Sequence, residues 1–573
     1  MSHTWVTASD GVRLSVRATG PEDAPVLIAV HGYPDNSSMW DGVVAEFGDR
    51  YRVVVYDVRG AGESDKPRGR RAYRLDQLER DLAAVAEHVA PGGRFHLLAH
   101  DWGSIQAWQA VTGDLLRGRI ASYTSISGPS LDHAGAWFRA QLRPSPRALR
   151  HALGQFLHSG YIAYFQLPLI PELVWRLGLM GRLMRVLEPS AGSPVASDGV
   201  HGLNLYRANI FSRMVRPAPR QADIPVQVLA PTGDSFVGTP MQTEIERWVP
   251  QLRVRKVVGS HWITRSKPEL IARAAGELID HVEGGEEPRS LRRARVNDTK
   301  RGHFADQLVV VTGAGSGIGR ATALAFAEQG ADLVLTDINK DAASETVKLV
   351  RAKGSAATEY KVDSSDGDAV AEFAKQVRAE HGVPDIVVNN AGIGMSGPFL
   401  DTSQADWEKV IDVNLWGVIH GCRAFAEQLV ERGEGGHIVN LASAAAYLPS
   451  RTLPAYATTK SAVLMLTECL RAELAAHGIG VTAICPGIVH TNITSTTRFV
   501  GVDQVEQRRR QKSATKLYGK RNFGPEKVAA DILRAVQKNT ALAPSTPEAK
   551  AALVASRLTP GLLRAAAKRD VTP

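Results

Sequence analysis

Residues 95–104 read FHLLAHDWGS, and the fold of the first half of the chain turns on them. Phe95 to Leu98 is a short apolar run of the kind a buried strand shows, and the residues after Gly103 read as a helix. A strand that reverses sharply into a helix needs small residues two before and two after the apex, and it presents the apex side chain as a nucleophile. Ala99 and Gly103 flank Asp101 at those two places. The apex is therefore a carboxylate, with Ser104 three places late. Asp101 as a plain helix cap would need no partners. Asp101 as a nucleophile needs amide donors, a base and an acid to orient the base.

The partners occur in order. VLIAVHGYPD, residues 26–35, follows an earlier strand and offers the Tyr33 amide; the Trp102 amide follows the apex directly. VLAPTGDSFVG, residues 228–238, places Asp234 just past a strand, and VVGSHWITRSKPEL, residues 257–270, places His261 just past the next. Each alone is an ordinary post-strand polar residue. Together they give the order nucleophile, acid, histidine, each at the C-terminal end of a strand, where open α/β sheets bind ligands.

Further out, the 573 residues exceed what one hydrophobic core organises, so several domains are expected. Hydrophobic residues make up 44% and charged ones 22%, which suits a globular chain. The net charge of +9 comes from scattered Lys and Arg, with no basic run interleaved with aromatics, so no nucleic-acid partner is expected. Cys422, Cys469 and Cys485 lie far apart without metal spacing, which predicts no metal site and a reducing, cytoplasmic location. No signal peptide is read at the N-terminus, and no apolar run spans a bilayer. The most apolar stretch, YIAYFQLPLIPELVWRLGLMGRLMRVL at 161–187, is interrupted by prolines and arginines. From Pro547 the tail reads as one or two amphipathic helices. Packing on the second domain or a partner subunit is the expectation for them, and peripheral membrane contact the alternative.

Two blocks alternate short β-branched runs with helical patterns, the mark of parallel sheets with helical crossovers. The division is 1–283, a charged linker over 284–303, and 304–573, with a helical cap inserted in the first block at about 129–219. The second block opens on LVVVTGAGSGIGRATALAFAEQGADLVLTD, a glycine-rich turn between strand and helix followed by a strand ending in Asp337. Gly313, Gly317 and Gly319 let a pyrophosphate approach the backbone and helix N-terminus. Asp337 suits a ribose 2′-hydroxyl and repels a 2′-phosphate, and Ser316 is not basic, so NAD is favoured over NADP. Tyr456 and Lys460, four apart on a helix, share a face. The ammonium is expected to lower the tyrosine's pKa toward acid–base work.

HGYPD, AHDWGS, GDSFVG and GSHW make residues 6–283 resemble the epoxide hydrolase branch of the α/β-hydrolase superfamily. The resemblance implies two epoxide-binding phenols in the cap. GYIAYFQLPLIPE supplies Tyr161, with Tyr164 as fallback, and GLNLYRANI supplies Tyr206. Asp101 would attack the epoxide, His261 oriented by Asp234 would activate water, and Tyr33 and Trp102 would hold the oxyanion. A haloalkane dehalogenase, a lactone-opening hydrolase and a non-catalytic lipid-binding module remain the alternatives for this domain.

TGAGSGIG, NNAG, YATTK and PGIVHT, in that order, make residues 304–536 resemble the short-chain dehydrogenase/reductase superfamily, a Rossmann fold. The resemblance implies that Tyr456 donates or accepts the proton, Ser443 holds the substrate oxygen, Lys460 binds the nicotinamide ribose and Asn414 supports a water relay. Ser316, Ile318, Asp363, Asn390, Ala391, Gly392, Pro486, Gly487 and Thr491 complete the cofactor site with the glycines and Asp337. The stretch after Thr491 is the expected substrate loop, mobile without ligand. The expected partners are a small apolar or lipid substrate, NAD, and a second copy through the dehydrogenase domain.

Overall fold

The computed structural model describes residues 2–143, 145–296, 302–521 and 523–568, in two compact units divided near residue 299. Among the described residues no helix is long and apolar enough to cross a membrane.

The first unit is built on an eight-stranded sheet. β1 (Ser2–Thr7) and β2 (Arg13–Thr19) form an antiparallel edge. β3 (Val26–Val30), β4 (Arg52–Tyr56), β5 (Phe95–His100), β6 (Ile120–Ile126), β7 (Val226–Pro231) and β8 (Leu252–Val257) run parallel. The order is β1-β2-β4-β3-β5-β6-β7-β8. Their β-branched runs read as continuous apolar segments because helices cover both faces; Ile28, Val30 and Leu97 face one core and Leu27, Ala29 and Leu98 the other. The chain passes from β3 outward to β4 and then back across to β5. The crevice between the C-terminal ends of β3 and β5 is thus the switch point at which such sheets bind ligands.

Between β6 and β7 the sheet rhythm stops for six helices, from Leu131–Gln141 to Ala196–Val215, in the place expected of the cap. Phe165, Trp175, Leu203 and Tyr206 turn inward and join the core that Ile28, Val30 and Leu97 face.

The charged stretch 284–303 differs from an open linker. Its helix Arg289–Arg293 buries Leu291, Arg295 bridges to Arg253 at the β8 edge, and Arg253 donates to Glu287 at 2.8 Å. One anchoring leucine and paired charges fix residues that composition alone reads as solvated. Residues 297–301 of that expected linker lie outside the described residues.

The second unit is a seven-stranded parallel sheet. It contains β9 (Leu308–Thr312), β10 (Asp332–Asp337), β11 (Ala357–Lys361) and β12 (Ile386–Asn389). After a two-residue β13 (Met395–Ser396) come β14 (Gly436–Leu441), β15 (Ile479–Cys485), β16 (Arg498–Phe499, paired to β13) and β17 (Leu542–Pro544). The main order is β11-β10-β9-β12-β14-β15-β17. The reversal falls between β9 and β12, so the glycine turn after β9 and the NNAG loop after β12 flank one crevice. The stretch expected to be a mobile loop forms the helix Gln504–Lys520, capped by Asp503, which accepts from the amides of Val505 and Glu506.

Candidate active sites

β5 ends at His100, and the helix Trp102–Thr112 starts two residues later, leaving Asp101 at φ +50°. That left-handed backbone is unusual for a residue other than glycine and is held from three sides. A Cβ on Gly32 would lie 2.5 Å from Asp101 Oδ1, one on Gly103 would lie 2.2 Å from the Val30 oxygen, and one on Gly128 would lie 2.1 Å from the Asp101 oxygen. Only hydrogen fits at these places, so the glycines set how deeply the apex packs. Ser104 is not a displaced nucleophile. It is fully buried, and its Oγ donates to the Gly128 oxygen at 2.6 Å and lies 2.6 Å from Tyr123 Oη and 2.8 Å from Ser125 Oγ.

Tyr33 donates its amide to Asp101 Oδ1 at 2.7 Å. Trp102 opens the helix, so its amide is among the first-turn donors that have no partner within the helix. The other carboxylate oxygen, Oδ2, stands 3.6 Å from His261 Nε2, and His261 Nδ1 meets Asp234 at 3.1 Å. Asp234 is itself fixed by the amides of Phe236 and Val237 at 2.8 and 3.0 Å. Burial works against the Asp234 charge, but His261 and those amides outweigh it and hold the carboxyl below the usual range. Burial likewise opposes a charged His261, yet the Asp234 charge and the bonds to Asp101 and Asp234 prevail, pushing it up to about 10. His100, buried against it, donates Nε2 to the His261 oxygen at 2.8 Å; burial and the His261 charge push it down to about 4.

Two cap phenols face this cluster. Tyr161 and Tyr206 lie edge to face, 6.0 Å between ring centres. Burial first, with the Asp101 charge and, for Tyr206, the neighbouring Tyr161, raises both phenols and keeps them protonated. Tyr164 instead rests on Phe165 and near Glu172, so Tyr161 occupies the position over the carboxylate. Sequence reasoning passed over three supports. Trp175 Nε1 donates to Tyr33 Oη at 2.7 Å, Phe236 meets His261 edge to face at 4.9 Å, and Asp35 accepts from Trp262 Nε1 and Arg265, each at 2.7 Å. Asp35 in HGYPD carried the nearest signal, an acid on the loop already singled out.

In the second unit Gly313 lies at φ +62°, and a Cβ there would sit 2.8 Å from Ala391 Cα. A Cβ on Gly319 would lie 2.2 Å from the Gly313 oxygen, and one on Gly317, at φ +53°, 3.2 Å from Thr491. Thr312 Oγ1 accepts from the amides of Asn390 and Ala391 at 3.0 and 3.1 Å, and Asn390 Nδ2 donates to Thr312 and Gly313 oxygens. The two loops are stitched into one cradle, with Ser316 exposed at the mouth of the helix Gly317–Ala327 and Ile318 packed on the core behind. Asp337 accepts from Gly315 and Asn339 amides at 2.9 Å each. Asp363 is exposed and holds its own turn through Ser365.

Ser443, two residues past the end of β14, donates its Oγ to the Pro486 oxygen at 3.4 Å. Gly487 is pinned against Thr546 and Glu548. Lys460 is buried, donates to the Leu441 oxygen at 2.7 Å and lies 5.9 Å from the Tyr456 ring centre. Asn414 sits in a π-helical turn, Asp412–Trp416, and clamps both polar groups of the Ile393 backbone. Gly392 lies beside it: a Cβ there would come 3.2 Å from Asn414 Oδ1 and 3.6 Å from Lys460 Nζ. One expectation is reversed. Burial raises Tyr456 to about 12, against the lowering effect of Ser443, while burial depresses Lys460 to about 8. Desolvation dominates both groups, disfavouring the charged form of each.

Residues 25–267 match the α/β hydrolase fold and residues 307–499 the short chain dehydrogenases. "Probable oxidoreductase EphD" of Mycobacterium tuberculosis H37Rv is 43% identical over 99% of this chain and 98% of its own length, as is its Mycobacterium bovis counterpart. A short-chain dehydrogenase/reductase from Burkholderia phymatum, solved with NAD, is 31% identical over 47% of this chain and 98% of that one, with a TM-score of 0.42.

Proposed function

The chain belongs to the EphD family, an α/β-hydrolase fold joined to a short-chain dehydrogenase, and from that premise we propose a bifunctional enzyme that opens a lipid-type epoxide to a diol and oxidises or reduces an alcohol or ketone with NAD. One observation carries the first half: a carboxylate at the elbow has one oxygen on an amide donor and the other facing a histidine–aspartate pair, with two protonated phenols above it.

Tyr161 and Tyr206 polarise the epoxide oxygen, and one of them delivers its proton as the C–O bond breaks. Asp101 Oδ2 forms the new C–O bond, giving an aspartyl ester and a neutral alcohol. Water then attacks the ester carbonyl as His261 takes its proton. The amides of Tyr33 and Trp102 hold the oxyanion, which collapses as His261 passes its proton to the departing alkoxide; the diol leaves, and the new carboxyl gives up its proton to restore the phenol and the carboxylate. The carboxylate is thereby explained, since a serine ether would leave no carbonyl for water. One indole favours this reading over halide release: Trp175 donates Nε1 to Tyr33 Oη and is engaged with a phenol, while Trp102 packs edge to face on Tyr206.

In the second domain the glycines let the two loops of the cradle pack against each other, and a nicotinamide dinucleotide would lie along them. Gly313, Gly317, Gly319, Asn390 and Thr491 would line the pyrophosphate and carboxamide ends, and Asp337 the ribose. Bound there, NAD supplies two-electron exchange with the carbinol carbon. Ser443 and Tyr456 hold the substrate oxygen, Tyr456 moves its proton, and Lys460 stabilises the phenolate. Asp337 adds negative charge where NADP would place a phosphate, which supports NAD over NADP.

Single turnover in heavy-oxygen water tests the hydrolytic half: the label enters the Asp101 side chain, and an unlabelled Asp101 refutes the ester. Purified diol with NAD tests the second half, read as NADH formation; with no NADH from any diol the first domain makes, the two activities do not act in sequence.

A further inference from the structure

The apolar stretch at 161–187 is only partly used by the site. In the helix Ile170–Arg176, Pro171 and Trp175 face inward, while Ile170 and Leu173, with Leu177 just beyond, are 52, 57 and 60% exposed. In the next helix, Leu179–Leu187, Met180 is buried while Leu183, Val186 and Leu187 stand 51, 79 and 69% exposed. Spacings of three and four put each set on one face. Both helices thus turn an apolar stripe outward, which on a globular surface marks an interaction site. The exposed Arg176, Arg182 and Arg185 punctuate the stripe, and Glu172 is taken up by Arg207. The surface is apolar and cationic together.

We propose that this outer face of the cap docks on an anionic lipid surface, and that the substrate reaches Asp101 from there. The lipid part of the substrate reading is the only part of the proposed function on which this rests. A membrane interface accepts both features, taking leucines at the acyl boundary and guanidiniums on phosphates. A second copy of the chain fits worse, because a two-fold contact sets Arg182 and Arg185 against their own counterparts. The face is also wired inward. Trp175 lies on the opposite side of the docking helix and holds Tyr33 Oη, whose residue's amide holds Asp101. Lipid contact and nucleophile are therefore separated by one helix and one tyrosine.

The test is flotation of the full chain with vesicles of phosphatidylcholine, pure or carrying about 30 mol% phosphatidylglycerol. The chain floats with the anionic vesicles, and raised salt releases it. Arg182→Gln and Arg185→Gln each lower the partition about fivefold, and Leu183→Glu with Val186→Glu abolishes it. Leu349→Glu, a comparably exposed leucine of the second domain, leaves it unchanged. Because the altered side chains are exposed, an unchanged circular dichroism spectrum and thermal midpoint confirm that the variants are folded. A chain that stays unbound, or binds both vesicles equally, overturns the proposal. So does a dimer that Leu183→Glu dissociates. Binding is read without turnover, so the docking face and the epoxide chemistry can each fail alone.

Discussion

Replacing Asp101 by Asn should turn His261 from a resting acid into a base, and the change can be sized from the geometry. The substitution keeps the shape and removes the charge 3.6 Å from His261 Nε2. At an effective dielectric of about 20 that attraction is worth about 4 to 5 kcal/mol, or roughly 3 on the pH scale. His261 starts at about 10 because Asp234 and Asp101 together overcome burial. With Asp234 alone its midpoint falls to about 7. The ester intermediate neutralises the same oxygen, so covalent attack itself readies His261 to take a proton from water. The assay is histidine ring-carbon NMR across pH on wild type and Asp101→Asn, with His261→Gln to identify the signal. A variant that still titrates above about 9, or a wild type already titrating at the ordinary 6.5 or so, would refute the coupling.

Tyr206→Phe removes one phenol proton and should slow ester formation about 100- to 1,000-fold in stopped-flow alkylation, with ester hydrolysis unchanged. His261→Gln should cost stability below about pH 6.5, the raised pKa being a folded-state gain, and the cost should vanish as pH rises through about 10; denaturant titrations at several pH values read it. Lys460 is the opposite case, held at about 8 against an ordinary 10.5. The unfolded chain binds the extra proton, so wild-type stability rises between those pH values, and Lys460→Met should gain on the order of 3 kcal/mol at pH 7 while losing oxidoreduction. Asp337→Asn keeps an acceptor for the Gly315 amide but drops the charge, and should raise NADP use relative to NAD about tenfold in steady-state assays.

What the sequence made legible was local. The elbow shows because a strand, an apex and two small residues lie within ten positions, and the glycine cradle because a turn and its helix adjoin. Asp234 and His261 show through their order after two strands. The cap phenols needed the family resemblance, since Tyr161 and Tyr206 read by themselves as core aromatics. The rest was hidden for two reasons. Contacts such as Trp175 with Tyr33 join residues 142 apart, which no periodicity reports. Burial was the other: it raised Tyr456 where a neighbouring ammonium argued for lowering, and a single leucine folded a segment whose charges read as a tether.

The three glycines around the elbow bear on how such a domain changes trade over evolutionary time. Gly103 and Gly128 fix the main chain of the turn, while Gly32 clears the space that the apex side chain occupies. One codon change at position 101 therefore swaps the reacting atom without disturbing the scaffold, whereas drift at positions 32, 103 or 128 wrecks the turn for every nucleophile alike. The geometry is the heritable part, and the chemistry it displays is the replaceable one.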